Sequence, residues 1–372
     1  MFTRLASTGR EKKRKNQAGD RMQGTLAPAR KTRQLLSCVD RVVMRNGGSF
    51  HKTEKLADIG IDDQTYNQAM QSFSTMEELN SRFAIEGVAE IVAGQGSLPK
   101  VHISTAAAEA DIYLHGAQVT SWRPGGAEDV IFLSESSRWE EGRAIRGGIP
   151  VCFPWFRAKA DDPQAPAHGF VRTKAWQLKS LVYERDVVTV TLSTESDAGT
   201  RRWWTNDFRL EHRVTVGAEL KLELIVSNTG STAFHFEEAL HTYHKVGDAA
   251  EIRVAGLDGV TFLDNTDANR KKTQHGDVIM SGPIDNAYLD TASAPELIDP
   301  TLRRRIQITK ENSRTTIVWN PWKDGAKALA DLGDDEWPSM ACIEASNILD
   351  FAVPLAPGEQ HTMTAHMKVV AY

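Results

Sequence analysis

Cysteine is scarce: Cys38, Cys152 and Cys342 are the only three in 372 residues, and no two form a CxxC pair. Such a set provides neither the disulfide framework of a small secreted domain nor a thiolate metal cage, and it suits a reducing, cytoplasmic location. Long apolar runs are also missing. The stretch Ile149-Pro150-Val151-Cys152-Phe153-Pro154-Trp155-Phe156 falls far short of the ~20 residues a spanning helix requires, so no membrane helix is expected. No repeat of fixed period is visible, and the HxH and HExxH spacings of familiar metal sites do not occur.

What is present is 41% apolar and 25% charged residues, enough for a full hydrophobic core in a globular protein. The formal net charge of −5 hides an asymmetry: residues 1–55 hold 14 Lys/Arg against 4 Asp/Glu, leaving 30 against 45 for the rest. The basic segment, with Lys12-Lys13-Arg14-Lys15 inside it, lacks the apolar stretch of a signal peptide. Few of its residues could offset chain entropy, so residues 1–74 are expected to form a disordered basic extension, with Met76 as an alternative start. Residues 75–372 are expected to form one domain.

Leu56–Phe73 carries a weak helical pattern. Residues 76–83 carry a stronger one, with Ser74 or Thr75 as its cap. Beyond Phe83 the period becomes two. Val188, Val190 and Leu192 alternate with threonines, Leu222, Leu224 and Val226 with outer positions, and Met363, Ala365, Met367 and Val369 with polar residues. Short turns such as Val216-Gly217-Ala218-Glu219 and Ala356-Pro357-Gly358-Glu359 separate them, as in hairpins rather than crossover helices. The fold class is therefore all-β, a sandwich with few short helices; one helix is expected at Lys327–Leu332.

Four clusters carry polar groups where a plain surface would not require them. In Arg146-Gly147-Gly148-Ile149-Pro150, an arginine precedes glycines that allow positive φ and close approach, then a Pro- and aromatic-rich wall. It suits an anion attached to a sugar; the competing account is a turn whose arginine pairs with a carboxylate. In His168-Gly169-Phe170-Val171-Arg172, strand spacing would put Arg172 on the face of Phe170, able to converge with Arg146, while His168 could equally be a hydrogen-bonded turn residue. The run Phe234–His244 is dense in titratable groups. Strand spacing puts His235, Glu237 and His241 on one face and His244 on the other, which favours acid–base chemistry over a metal. In Met340–Asn347, Glu344 stands in an apolar strand, where a buried carboxylate needs a partner or a function; a structural ion pair and catalysis compete. Trp319-Asn320-Pro321-Trp322 adds two indoles that could stack on a sugar face.

These motifs, in the order Arg146–Pro150, His168–Arg172, Leu240-His241-Thr242-Tyr243, Trp319–Trp322 and Cys342-Ile343-Glu344, closely resemble the glucose-6-phosphate 1-epimerase (D-hexose-6-phosphate mutarotase) family of the aldose 1-epimerase superfamily. The resemblance spans nearly all of residues 76–372. It implies a galactose-mutarotase-like β-supersandwich and interconversion of sugar-phosphate anomers by acid–base ring opening. His241 and Glu344 match the family's catalytic pair, and Arg146, Arg172 and Asp285 match its substrate contacts. Ala167 stands where some relatives carry a substrate-contacting glutamine, and the segment before Thr75 has no counterpart. The reaction so implied requires no metal and no other cofactor. The partner expected is a small sugar phosphate, with neither nucleic acid nor membrane, and the protein is expected to be a monomer.

Overall fold

The structure is a computed structural model that describes residues 75–372. The expectations for residues 1–74, including the helical pattern at Leu56–Phe73, lie outside the described residues. The helix at residues 75–83 is present; it buries Met76 and lays Leu79 and Phe83 on the core. Asn80 pins it, its side-chain carbonyl accepting from Ile91 N (2.8 Å) and its amide donating to Ile91 O (2.6 Å).

Strands dominate the rest, as the two-residue period demands. Nine antiparallel strands form one sheet, running from Val278–Ile279 through Arg253–Ala255, Glu296–Asp299, Arg304–Glu311, Gln360–Ala371, Glu219–Asn228, Phe208–Val216 and Val187–Glu195 to Gln177–Glu184. The Gly217-Ala218 turn joins two of them in register, Val216 facing Leu220. A second large sheet orders Arg270–Thr273, Thr261–Asp264, Ile284–Tyr288, Thr315–Asn320, Met340–Asn347, Glu238–Leu240 and Val151–Cys152, with Tyr243–Lys245 also paired to Met340–Asn347. Val190, Leu222, Leu224, Met363 and Met367 from the first sheet meet Val151, Leu240, Val318, Ala341 and Ile343 from the second in one core. Each of these side chains larger than alanine contributes about 1.5–3 kcal/mol by leaving water. A four-stranded sheet, Ala89–Ala93 to Gln118–Pro124, packs on this core through the fully buried Trp122, whose indole N–H donates to Gly217 O at 3.1 Å.

Three sequence expectations are corrected. The helix expected at Lys327–Leu332 lies earlier, at Trp322–Lys327, because Pro321 is tolerated at a helix start and the Asn320 side chain accepts from Trp322 N at 2.7 Å, while residues after Lys327 turn back. Arg172 is not on a strand: Val171–Thr173 is a 3₁₀ turn, so strand spacing does not place its side chain. Phe234–His244 is not one strand but three, Phe234–Phe236, Glu238–Leu240 and Tyr243–Lys245, so the alternation assumed for His235, Glu237, His241 and His244 fails across the breaks. Among the described residues, no helix is long and apolar enough to cross a membrane.

Candidate active site

Opposite the core, the second sheet shows its other face, and register decides what appears there. Residues paired across an antiparallel ladder share a face, and so do residues two apart along a strand. Tyr243 pairs with Cys342, Cys342 with Trp319 and Trp319 with Asp285, while Glu344 pairs with Ile317. Asp285, Trp319, Cys342, Glu344 and Tyr243 therefore share one surface across four strands.

His241 reaches the same surface because the chain breaks at His241-Thr242 between two short strands that both pair with Met340–Asn347. The break swings the imidazole over Glu344, Nδ1 lying 3.3 Å from Oε1. His241 is 7% exposed and Glu344 1%, and neither His241 Nδ1 nor either Glu344 oxygen completes a hydrogen bond. The imidazole stacks on Tyr243 at 4.8 Å between centroids and meets Trp319 edge-on at 6.0 Å. Trp319 is thus the one indole of its motif at this surface; Trp322 instead packs on Trp337, 4.2 Å away.

Arginines surround the pair. Gly147 and Gly148 have φ of 97° and 69°, and a Cβ on Gly147 would sit 2.6 Å from Phe132 O, so the turn presenting Arg146 requires glycine. Arg146 donates through Nε and one terminal nitrogen to Asp331 and through the other to Tyr243 Oη, at 2.9 Å. The carboxylate partner weighed for it therefore exists, beside the site rather than away from it. Arg172 is half-buried; it donates to Ala167 O at 3.0 Å, while its shielded Nε has no partner and no carboxylate among the described residues pairs with it. Asp285 is held by Arg157 at 2.5 Å and by the Asn265 amide at 2.6 Å. His168, in a positive-φ turn, accepts from Arg157 N at 3.3 Å, and its ring lies 5.5 Å from that of His241. It is both the hydrogen-bonded turn residue and a neighbour of the pair.

The electrostatics follow from burial and these cations. Burial, then the charges of Arg172 and Arg146, hold the His241 pKa well below the usual histidine range. Burial, then Asp285, push Glu344 well above the usual carboxylate range, against the pull of Arg157 and Arg172. Both directions favour the neutral form of each group. His241, Cys342 and Glu344 also present ligand atoms all within 4.8 Å of one another, so the donors that could hold a metal lie across strands rather than along Phe234–His244.

The rest of the Phe234–His244 run is structural. His235 is exposed, Glu237 accepts from the backbone N–H of Phe156 and Leu349 (both 2.7 Å), and Glu238 is buried against Asn347. His244 is buried away from the pair, its pKa pushed down to about 3 by desolvation. Sequence reasoning missed Arg157 and Asp331. Both lie in irregular segments, with no period to place them; the only signal was that Arg157 directly follows the aromatic wall at Trp155-Phe156.

The aldose 1-epimerase family profile matches residues 99–368. A Cenchrus ciliaris protein provisionally named glucose-6-phosphate 1-epimerase is 34% identical over 286 residues, 73% of this chain and 85% of its own length. A Salmonella typhimurium protein of the same provisional name is 33% identical over 63% of this chain and 79% of its own. Among solved structures, a provisionally assigned mutarotase from Salmonella typhimurium superposes with a TM-score of 0.73 at 26% identity, covering 80% of this chain and all of the other. A galactose mutarotase-like protein from Clostridium acetobutylicum shares the fold, with a TM-score of 0.58 at 15% identity over 76% of this chain and 98% of its own.

Proposed function

The chain belongs to the aldose 1-epimerase family, and from that premise we propose that it is a hexose-6-phosphate mutarotase interconverting the α and β anomers of glucose 6-phosphate. The observation that carries this reading is the contact between His241 Nδ1 and Glu344 Oε1 at 3.3 Å, with both groups otherwise unsatisfied, beside the carboxylate-free guanidinium of Arg172. An acid and a base touching one another can serve two oxygens of one sugar ring. A half-buried cation that no carboxylate among the described residues pairs with suits a phosphate.

Ring opening needs the O1 proton removed and the ring oxygen protonated as the C1–O5 bond breaks and C1=O forms. The aldehyde turns about C1–C2, and closure on its other face reverses both transfers. Glu344 as carboxylate takes the O1 proton and protonated His241 supplies the ring oxygen, each contributing ~10²–10⁴-fold. Burial favours the neutral form of both groups before substrate binds, so substrate must shift the balance toward the charged pair. A phosphate dianion on Arg172 and Arg146 offsets the charges that depress His241, and the proton passes from Glu344 to His241. Phosphate recognition is thereby coupled to the chemical step as well as to binding.

A second reading, an aldose 1-epimerase acting on unphosphorylated hexose, draws on one observation: Asp331 already occupies two donors of Arg146. Saturation-transfer NMR of anomer exchange separates them. Exchange accelerated chiefly on glucose 6-phosphate supports the first reading, equal kcat/KM on glucose and glucose 6-phosphate rejects it in favour of the second, and no acceleration on either sugar rejects both.

A further inference from the structure

We propose that His241, Cys342 and Glu344 form a site for one thiophilic divalent cation, Zn²⁺ by ligand preference, and that the bound cation shuts off the acid–base pair by occupying it. The binding half stands on geometry alone; the inhibitory half rests on the mutarotase reading.

An imidazole nitrogen, a thiol sulfur and a carboxylate oxygen make a mixed N/S/O donor set suited to Zn²⁺. Mg²⁺ and Ca²⁺ seek several oxygens, and this cluster has a single carboxylate. Bond lengths of ~2.0–2.3 Å around one tetrahedral zinc put neighbouring donors roughly 3.3–3.8 Å apart. Here the donors all fall within 4.8 Å, and His241 Nδ1 and Glu344 Oε1 are already at 3.3 Å. Rotation of side chains closes the remaining gap. The frame is firm, because Cys342 and Glu344 are two apart on a strand hydrogen-bonded along both edges, where both project to the same side.

The second observation is the state of the donors. His241 Nδ1 and both Glu344 oxygens are buried and unpartnered, a costly arrangement that a cation would relieve. Binding deprotonates Cys342 and Glu344, and the resulting thiolate and carboxylate balance the two charges of the ion, with both protons released to solvent. Three protein donors leave a fourth position for water or a sugar oxygen. A sugar cannot use His241 and Glu344 while both ligate the metal, so occupancy and catalysis exclude each other.

The test uses the full chain freed of metal by dialysis against EDTA. Co²⁺ is titrated in as a spectroscopic probe, then displaced with Zn²⁺. The expected result is a thiolate-to-cobalt charge-transfer band saturating at one ion per chain. Cys342→Ser should lose the band and bind Zn²⁺ at least ~10-fold more weakly, whereas Cys38→Ser and Cys152→Ser should keep both. If Cys342→Ser fails to fold by circular dichroism, Cys342→Ala takes its place, and competition by excess glucose 6-phosphate reports the same site in wild type. No band at excess Co²⁺, or a band surviving loss of Cys342, overturns the site. Anomer exchange should fall in proportion to occupancy and return with EDTA; exchange unaffected by saturating Zn²⁺ overturns the inhibitory half. Absence of exchange in the metal-free protein overturns the mutarotase reading, while the cobalt band still decides the site.

Discussion

Asp331 grips Arg146 along one edge of its guanidinium, taking hydrogen bonds from Nε at 3.1 Å and from a terminal nitrogen at 3.2 Å, and leaves the other end to Tyr243 Oη. The two residues stand 185 positions apart in the chain. Planar, two-pronged pairing of this kind fixes direction as well as charge. Asp331 therefore fixes the orientation of Arg146, and on the proposed function it is a positioning residue that acts through Arg146.

Asp331→Asn should raise KM for glucose 6-phosphate about 5–30-fold, the effect of one to two kcal/mol, with a smaller change in kcat. Steady-state anomerisation rates check this. A matching change on free glucose would mean that Asp331 supports the fold or the ring contacts rather than the phosphate end.

Removing the guanidinium that no carboxylate matches should erase selectivity. Arg172→Met is expected to lower kcat/KM on glucose 6-phosphate ~10- to 100-fold, as loss of a charge-assisted hydrogen bond of about 1.5–3 kcal/mol requires, and to leave free glucose nearly untouched. Part of the loss should fall on kcat, because without the phosphate bound there the pair keeps its neutral form.

The proposed mechanism makes His241 and Glu344 act as a unit, so His241→Ala and Glu344→Gln should each cost ~10²–10⁴ in kcat, and the double variant hardly more than the worse single one. Anomer-exchange rates from all three proteins decide it; multiplicative losses would show that the residues act independently.

Stability should fall as pH drops from 6.5 toward 4. Burial pushes the pKa of His212 down to about 4 and that of His244 to about 3. Between the folded values and the unfolded value of about 6.5, the unfolded chain binds the extra protons, so stability rises with pH in that window, by up to about 1.4 kcal/mol per pH unit for each histidine. Both contributions are fully present above pH 6.5. Urea midpoints at pH 5 and pH 7 test the direction, and His212→Gln should flatten the slope if it folds.

Much of the fold was legible in the amino-acid order, because a sheet with one face in the core writes a period of two into its strands. Val188–Leu192, Leu222–Val226 and Met363–Val369 show that period, and each is a strand. The positive φ of Gly147 and Gly148 was readable for a similar reason: few residues but glycine serve there. Glu344 could be singled out because a carboxylate in an apolar strand is conspicuous.

Residues outside regular elements had no such signature. Arg172 sits on a 3₁₀ turn, Arg157 and Asp331 in loops, and His241 in the gap between two short strands, so no period says where their side chains go. By itself, the sequence determined that the chain is β-rich, where its turns fall and which residues carry unusual chemistry. Only the tertiary structure decided that His241 lies over Glu344, that Asp331 claims Arg146 and Arg157 claims Asp285, and that Cys342 joins the pair. The physical reason is register: contacts between strands far apart in the chain depend on ladder pairing, and a shift of one residue would turn Glu344 from the site into the core.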